Sequence, residues 1–295
     1  MKALVFGASG LLGSNVAVKA AERGFDVVGT YCTTEPDLEI DCRQCDITDS
    51  TYTRQLITEC DPDIVINCAA MTDVDACEEN PDKAEAVNAD APKQIAQVCS
   101  KNDINYIHTS TDYVFNGHID QAYAIDDSPD PIQHYGKTKY SGEQAVKATH
   151  TSVLIIRLSF IYGMHQSTTE LTGFPAWVIS KLQNGESVPL FTDQFVTPSR
   201  AGQAAETIFE LNTDNRSGLF HVACRNCVTP YQFGKQIADR FGKDDLISKS
   251  SQDDVDRLAL RPTHTCLNVE HTEQALDRLQ PTLTADLDEL RLGQI

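Results

Sequence analysis

The chain has 295 residues, 41% of them hydrophobic, a length and composition typical of a globular protein with one or two domains. Its 43 acidic and 24 basic residues give a formal net charge of −19, which argues against nucleic acid as a partner because such a surface repels phosphate backbones. An acidic surface of this kind favours a halophilic source over generic solubility, since salt screens its self-repulsion. The opening MKALVFGASG predicts a strand and no signal peptide, and the longest apolar run is interrupted by Arg157. We therefore expect a cytoplasmic protein with no membrane partner.

Apolar strands alternate with amphipathic helices through the N-terminal half. Strands are predicted at residues 2–7, 25–31, 63–70, 104–110 and 152–158, with a short third strand that closes at CDITD (45–49). Helices are predicted at residues 11–24, 51–60, 81–102 and 136–148. This alternation predicts an α/β fold with a doubly wound, Rossmann-like parallel sheet covered by helices on both faces.

After about residue 160 the rhythm changes to a smaller, mixed region. Helices are predicted at 173–185, 201–211 and 230–242, and strands at 187–192 and 218–223. The tail from about residue 249 is polar and gives no clear pattern. We predict a dinucleotide-binding domain at 1–160, to which 195–224 returns, and a smaller mixed substrate-binding region at 161–194 and 225–295.

A glycine-rich loop, GASGLLG, joins the first strand to the first helix. It places Gly7, Gly10 and Gly13 in G-x-x-G-x-x-G spacing, with Leu11 and Leu12 between the last two. Glycines permit the tight turn and let the backbone approach a pyrophosphate, which the positive end of the helix stabilises. The loop therefore predicts a dinucleotide cofactor.

Tyr135 and Lys139 lie one helical turn apart, on the helix that follows the fifth strand. With the glycine spacing, this Y-x-x-x-K pair resembles the short-chain dehydrogenase/reductase superfamily. A free phenol has a pKa of about 10, and we expect the neighbouring ammonium to lower it toward the working pH. A hydroxyl that binds the substrate carbonyl is expected after the fifth strand, where Thr109, Ser110 and Thr111 occur.

Four ordered motifs narrow the resemblance: STDYVFNG, YGKTKYSGE, RLSFIYG and DQFVTPSR are similar to those of dTDP-4-dehydrorhamnose reductases. The resemblance implies Thr111 as the carbonyl-binding hydroxyl, Tyr135 as the proton donor and Lys139 as its partner. Beyond that catalytic set, it implies substrate contacts at Val74, Asp75, Tyr113 and Phe160. It implies cofactor contacts at Gly7, Gly10, Leu11, Leu12, Gly13, Thr30, Asp46, Ile47, Ala69, Ala70, Thr72, Tyr135 and Lys139. From the residues alone, Tyr113 could be ordinary core, Asp46 a turn residue and Asp75 a helix cap.

The chain departs from the family pattern at several positions. Phe160 stands where tryptophan is common, and Asn15 stands where some members have a glutamate that binds magnesium between subunits. Of a later acidic pair only Asp193 remains, with Phe191 at the other position. We therefore predict no metal site, and a homodimer, if formed, would not use a magnesium-bridged interface.

The end of the second strand bears on the choice of cofactor. A carboxylate there usually selects NAD, whereas this chain has Thr30 and Tyr31. NADPH is therefore favoured, with NADH as the alternative.

The resemblance implies an NAD(P)H-dependent reductase of a nucleotide-linked 4-keto-6-deoxy sugar, most simply a dTDP-4-dehydrorhamnose reductase of dTDP-rhamnose biosynthesis. A sugar dehydratase is disfavoured because no glutamate follows Asp112. Two alternatives stay open: a nucleotide-sugar 4-epimerase, and a non-catalytic cofactor-binding subunit resembling the regulatory subunit of methionine adenosyltransferase.

Ten cysteines include two pairs with metal-ligand spacing, Cys42 with Cys45 and Cys224 with Cys227. In a cytoplasmic protein, free thiols are the expected state, and Cys68 and Cys99 are predicted to be small core residues. Zinc at the paired cysteines is the alternative.

Overall fold

A computed structural model describes residues 1–214 and 216–292. The strands are β1 (Lys2–Phe6), β2 (Asp26–Tyr31), β3 (Asp41–Gln44), β4 (Ile64–Asn67), β5 (Asn105–Thr111), β6 (Leu154–Leu158), β7 (Gly163–Met164), β8 (Leu171–Thr172), β9 (Val188–Phe191), β10 (Gly218–His221) and β11 (Ile247–Ser250). Within the described residues, seven strands form one parallel sheet in the order β10-β6-β5-β4-β1-β2-β3. The predicted doubly wound sheet is confirmed.

Helices cover both faces of this sheet. The helices of the described residues are α1 (Leu11–Glu22), α2 (Ser50–Cys60), α3 (Val74–Glu79), α4 (Pro81–Glu85), α5 (Ala91–Lys101), α6 (His134–Thr149), α7 (Phe174–Gln183), α8 (Ala201–Thr213), α9 (Pro230–Asp239), α10 (Glu270–Leu276) and α11 (Leu283–Glu289). Helices α1 and α8 pack on one face, and α2, α5 and α6 contribute to the core on the other. The central strands β4 and β6 are buried along their whole length, which explains their mostly apolar sequences, and the buried charge of Arg157 in β6 is paired with Glu143.

The helix predicted at 81–102 is interrupted by a π-helical turn at Ala86–Asp90. There the Asn88 amide nitrogen donates to the Met71 carbonyl and to the Thr138 hydroxyl, at 3.0 and 3.1 Å. The turn therefore points the buried Asn88 amide toward the loop after β4 and toward α6. Such π-helical turns often occur at functional sites.

A third core lies beyond the sheet, formed chiefly by α7, α9, α11, β9 and β11. Strand β10 pairs with β6 and α8 packs on α1, so these two elements belong to the main sheet and its helical layer. The tail, which gave no sequence pattern, contains β11, α10 and α11. The domain boundaries stay a prediction, and residues 215 and 293–295 of the predicted ranges lie outside the described residues.

Cys227 and Cys266 form a disulfide, with His264 Nε2 3.6 Å from the Cys227 sulfur. The expectation of free thiols is therefore wrong for this pair, because the chain brings together two cysteines that are 39 residues apart. Cys224, the partner suggested by spacing, is a buried free thiol whose sulfur donates to the Asn226 carbonyl. Along residues 1–214 and 216–292, no helix combines the length and the hydropathy needed to cross a bilayer.

Candidate active site

The glycine loop follows β1 and turns directly into α1. Gly7 has φ +79°, and a Cβ there would lie 2.8 Å from the Ala69 nitrogen. A Cβ at Gly13 would lie 2.0 Å from the Gly7 carbonyl oxygen, so both positions require glycine. The Thr30 hydroxyl accepts from the Gly7 N–H at 3.2 Å, and its carbonyl accepts from Ala8 N–H at 2.8 Å. Thr30 therefore fixes the loop on which a pyrophosphate would rest.

A cavity of about 510 Å³ extends from this loop over the ends of β2 and β3. It is lined by the predicted cofactor residues Gly7, Gly10, Thr30, Asp46, Ile47, Ala69 and Ala70. Lys83, a lining residue that the sequence analysis missed, supplies a positive charge. The Asp46 carboxylate accepts from the backbone and hydroxyl of Thr48, at 2.9 and 2.7 Å, so it also forms the turn considered as its alternative role.

A second cavity, of about 460 Å³, adjoins the first and shares Gly10, Cys68 and Ala70 with it. Its size suits a small-molecule site. It is lined by the predicted residues Gly10, Leu11, Leu12, Gly13, Ala70, Thr72, Val74, Thr111, Tyr113, Tyr135, Lys139 and Phe160. One continuous cleft thus brings together the glycine loop and all three predicted catalytic side chains.

Asp75 is the predicted site residue that lines neither cavity. Its carboxylate accepts from the Ala259 N–H at 2.8 Å and from both terminal nitrogens of Arg261, at 3.2 and 3.0 Å. Both partners lower the pKa of Asp75 below its ordinary value, and the Ala259 N–H has the larger effect. The cap of α3 is Asp73, so Asp75 holds the C-terminal segment beside the cleft instead of capping the helix.

Thr111 ends β5 and Tyr135 begins the face of α6 that borders the cleft. Burial raises the pKa of the Tyr135 phenol above its ordinary value, a nearby Thr111 hydroxyl opposes that shift and the Asp112 charge adds to it. The expected lowering of this pKa is therefore wrong here, because burial disfavours the phenolate. The phenol stays protonated, the state that a proton donor needs.

Lys139 is buried beneath the cleft, and its ammonium donates to the Thr109 carbonyl at 2.7 Å. Burial lowers its pKa to about 8, although the Glu143 carboxylate opposes that shift. Glu143 is itself held by a buried two-bond ion pair with Arg157, at 2.8 and 2.7 Å. Near neutral pH the lysine is therefore a fixed, mostly protonated donor at the cleft floor.

The aromatic wall of the second cavity is formed by Tyr113 and Phe160. The Tyr113 ring lies edge-on to Tyr135, with centroids 6.0 Å apart. Burial raises the pKa of Tyr113 to about 12, while the guanidinium groups of Arg257 and Arg261 act in the opposite direction. Phe160 has φ +45°, an unusual backbone conformation for a bulky residue and one that often marks functional sites.

Asn15, which replaces one of the family's magnesium ligands, and Asp193, the acidic residue that remains of the later pair, have other contacts. The Asn15 amide nitrogen donates to the carbonyls of Leu11 and Met164, at 2.8 and 2.9 Å. The Asp193 carboxylate accepts from the Ser251 hydroxyl at 2.6 Å and from the Gln252 N–H. Both side chains therefore have structural partners, and the predicted lack of magnesium stays a prediction.

Asp112 touches Thr111 directly, yet the sequence analysis used it only to disfavour dehydration. It is 3% exposed, and its carboxylate accepts from three hydroxyls. One local signal, its place next to Thr111, could have suggested it. The other two hydroxyls come from distant positions that no spacing rule connects.

A family model described as the RmlD substrate binding domain matches residues 1–291. A probable low-salt glycan biosynthesis reductase, Agl14, of Haloferax volcanii is 50% identical over 288 residues, covering 97% of this chain and 96% of its own. That source agrees with the halophilic origin expected from composition. A dTDP-4-dehydrorhamnose reductase of Mycolicibacterium smegmatis is 30% identical over 277 residues, covering 92% of this chain and 79% of its own.

Solved structures of dTDP-4-dehydrorhamnose reductases share the fold of this chain. A dTDP-4-dehydrorhamnose reductase of Bacillus anthracis, solved in complex with NADP, superimposes with a TM-score of 0.87 at 26% identity and 99% coverage of both chains. One from Clostridium acetobutylicum has a TM-score of 0.87 at 27% identity and full coverage of both chains. The predicted resemblance is confirmed. The chain therefore belongs to the dTDP-4-dehydrorhamnose reductase family of oxidoreductases, whose RmlD model spans nearly its whole length.

Proposed function

We propose that this protein uses NADPH to reduce the keto group of a nucleotide-linked 4-keto-6-deoxy sugar, with dTDP-4-dehydrorhamnose as the first candidate. The observation that carries the proposal is the shared cavity of Thr111, Tyr135 and Lys139 next to the glycine loop. A hydroxyl, a protonated phenol and a buried ammonium are the groups that a carbonyl reduction requires. The named relatives, three of them dTDP-4-dehydrorhamnose reductases and one a probable glycan biosynthesis reductase, support the same class of reaction.

The first cavity fits a dinucleotide. Gly7 and Gly13 leave no room for side chains on the loop, and α1 begins at Leu11, directly after its N-cap Gly10, which lines the cleft. Lys83 lines the same cavity as Thr30 and Asp46, and its positive charge suits the additional phosphate of NADPH better than a carboxylate would. Lys139 is positioned to bind the nicotinamide ribose.

The bound dihydronicotinamide would supply the hydride to the keto carbon. Tyr135 donates its phenolic proton to the oxygen as negative charge develops there. Thr111 supplies a hydrogen bond to the same oxygen, which stabilises that charge in a site with little water. Lys139 keeps a positive charge on the floor of the same cavity, held there by the Thr109 carbonyl.

The substrate carries two phosphates, and two arginines that act on Tyr113 offer positive charge to bind them. Arg257 and Arg261 both influence the Tyr113 hydroxyl electrostatically. Arg257 lies over the Phe191 ring at 4.9 Å, and Arg261 is fixed by Asp75, so both guanidinium groups are oriented before the substrate binds. We assign the diphosphate to these arginines and the sugar to Tyr113, Phe160 and Val74.

The experiment supplies purified protein with NADPH and enzymatically prepared dTDP-4-keto-6-deoxy sugar, and follows nicotinamide absorbance and the sugar product. We expect equal consumption of both and a 4-hydroxy sugar. A UDP-linked keto sugar, tested in the same assay, shows which nucleotide base the protein prefers. Cofactor binding without turnover of either sugar would overturn the proposal and favour the regulatory-subunit alternative. Inversion at C4 of a 4-hydroxy sugar without net cofactor use would favour the epimerase.

A further inference from the structure

The carboxylate of Asp112 is buried next to the reactive groups and lies among hydroxyls. Its Oδ1 accepts from the Thr111 hydroxyl at 3.1 Å. Its Oδ2 accepts from the Ser159 hydroxyl at 2.8 Å and from the Thr265 hydroxyl at 2.5 Å. A buried carboxylate is costly unless such donors satisfy it, so these three contacts decide what the group can do.

The three hydroxyls come from separate parts of the fold. Thr111 ends β5, Ser159 follows β6, and Thr265 lies in the segment between β11 and α10. That segment is firmly held: the Thr265 N–H donates to the Phe195 carbonyl at 2.9 Å, and the next residue, Cys266, forms the disulfide. The Thr265 hydroxyl is therefore a rigid donor that the C-terminal region supplies to the catalytic end of the sheet.

Two of the three hydroxyls donate to Oδ2 and only Thr111 donates to Oδ1, and this division determines whether Thr111 can release its proton. A threonine hydroxyl has one proton. If Thr111 is to hydrogen-bond the substrate's keto oxygen, it must withdraw that proton from Asp112. The carboxylate tolerates the loss only if its other oxygen stays satisfied, and Ser159 and Thr265 provide that satisfaction.

Resting on the proposed function, we propose that Asp112, Ser159 and Thr265 are positioning residues that hold the Thr111 hydroxyl in place and leave its proton available to the keto oxygen. Burial raises the pKa of Asp112 to about 6 while the three hydroxyls oppose that shift, so near neutral pH the group is mostly a carboxylate and accepts hydrogen bonds. Thr265, 154 positions after Thr111, thereby acts on the reaction through Asp112.

The test is a double-mutant cycle between Thr265 and Thr111, measured as kcat with saturating NADPH and keto-sugar nucleotide. Thr265→Val keeps the side-chain shape and removes the donor, and we expect kcat to fall about tenfold, the effect of losing a hydrogen bond to a charged group, with little change in KM. Thr265→Ser should restore most of the rate. In a Thr111→Val background, Thr265→Val should change kcat by less than about twofold, because no Thr111 proton remains to be released.

Thr197→Val is the matched control. Thr197 is a buried threonine whose hydroxyl accepts from the Leu267 N–H at 3.0 Å, beside the same segment but without a hydrogen bond to Asp112. Its loss should lower the melting temperature without lowering kcat. Ser159→Ala gives a second removal of a donor if Thr265→Val folds poorly, and it should show the same dependence on Thr111.

If wild type is active, any of three outcomes would overturn the inference. The first is a wild-type kcat in both Thr265→Val and Ser159→Ala, and the second is a kcat of Thr265→Ser as low as that of Thr265→Val. The third is a loss of kcat from Thr265→Val that is the same in the Thr111→Val background as in wild type. Each leaves the proposed reduction standing. A wild type that reduces no keto-sugar nucleotide would instead sink the proposed function, and this inference with it.

Discussion

The sheet half of the molecule, up to β6, and the region of the third core are stabilised in different ways. In the first, buried parallel strands pack against helices on both faces of one sheet. In the second, short elements form a separate core, and the segment between β11 and α10 is joined to distant parts of the chain by the Asp75–Arg261 pair and the Cys227–Cys266 disulfide. The sheet half contains the three proposed catalytic side chains, and the C-terminal segment contains Arg261 and Thr265, to which we assign roles in binding and positioning.

The largest expected effect is on the chemistry contributed by the sheet half. Tyr135→Phe removes the proton donor and keeps the ring, so kcat should fall by about 10² to 10⁴. The NADPH dissociation constant and the melting temperature should stay close to wild type. Tyr140→Phe, which lies on the same helix but lines neither cavity, is the control. Near-normal turnover by Tyr135→Phe would remove this residue from the mechanism.

The next effect is on the stability of the second region. The disulfide closes a loop across a sequence separation of 39 residues, and Cys227→Ser should lower the free energy of unfolding by about 4 kcal/mol on the chain-entropy model. Urea unfolding, followed by fluorescence and by activity, measures the loss. Wild type in a strong reductant should have the same free energy of unfolding as Cys227→Ser. Cys32→Ser, at an exposed free thiol, should be as stable as the oxidised wild type. Equal stability of the reduced and oxidised wild type would show that the hydrogen bonds of the segment are sufficient without the disulfide.

The same contrast explains what the sequence could predict. Strands such as β4 and β6 were predictable because burial on both faces leaves a mostly apolar run, and Tyr135 with Lys139 because helical spacing is local. The hydrogen bond of Thr265 to Asp112 was not predictable, because its partners are 153 residues apart and neither has a local signature. The Tyr135 pKa was predicted in the wrong direction because spacing indicates a neighbouring charge and does not indicate burial.

The glycine loop offers a sharper comparison inside the sheet half. A Cβ at Gly13 would meet the Gly7 carbonyl, whereas one at Gly10 would lie 3.4 Å from the same oxygen. Gly13→Ala should therefore lower the free energy of unfolding by about 1 to 3 kcal/mol, as overpacking does. Gly10→Val should leave the fold largely intact and weaken NADPH binding at least about tenfold, roughly 1.4 kcal/mol. Unchanged affinity in Gly10→Val would exclude the loop from the cofactor site.

A smaller effect should appear on raising the pH. Burial holds the pKa of Lys139 at about 8, so the ammonium is progressively lost above that pH and kcat should decline. Stability should respond in the opposite sense. Between about pH 8 and the ordinary lysine pKa of about 10.4, the unfolded chain binds more protons than the folded one, so this group makes the folded state more stable as pH rises. Rate and thermal unfolding across this range test both signs, and a rate that rises through pH 8 to 10 would contradict the role given to the ammonium.

The smallest expected effect is that of salt, and it acts differently on the two regions. A net charge of −19 is self-repulsive, so molar KCl should raise the melting temperature by a few degrees as screening shortens the range of that repulsion. The buried Arg157–Glu143 pair beneath the cleft should be insensitive, because its side chains are only 2% and 4% exposed. A melting temperature that is flat from low to molar KCl would contradict the halophilic interpretation of the surface.

The Asp75–Arg261 pair has an Asp75 side chain that is 41% exposed and should weaken under screening. If that pair positions Arg261 for the diphosphate, KM for the nucleotide sugar should rise with salt more steeply in wild type than in Asp75→Asn, while kcat stays level. Equal salt dependence of KM in wild type and Asp75→Asn would show that Asp75 does not set the position of Arg261.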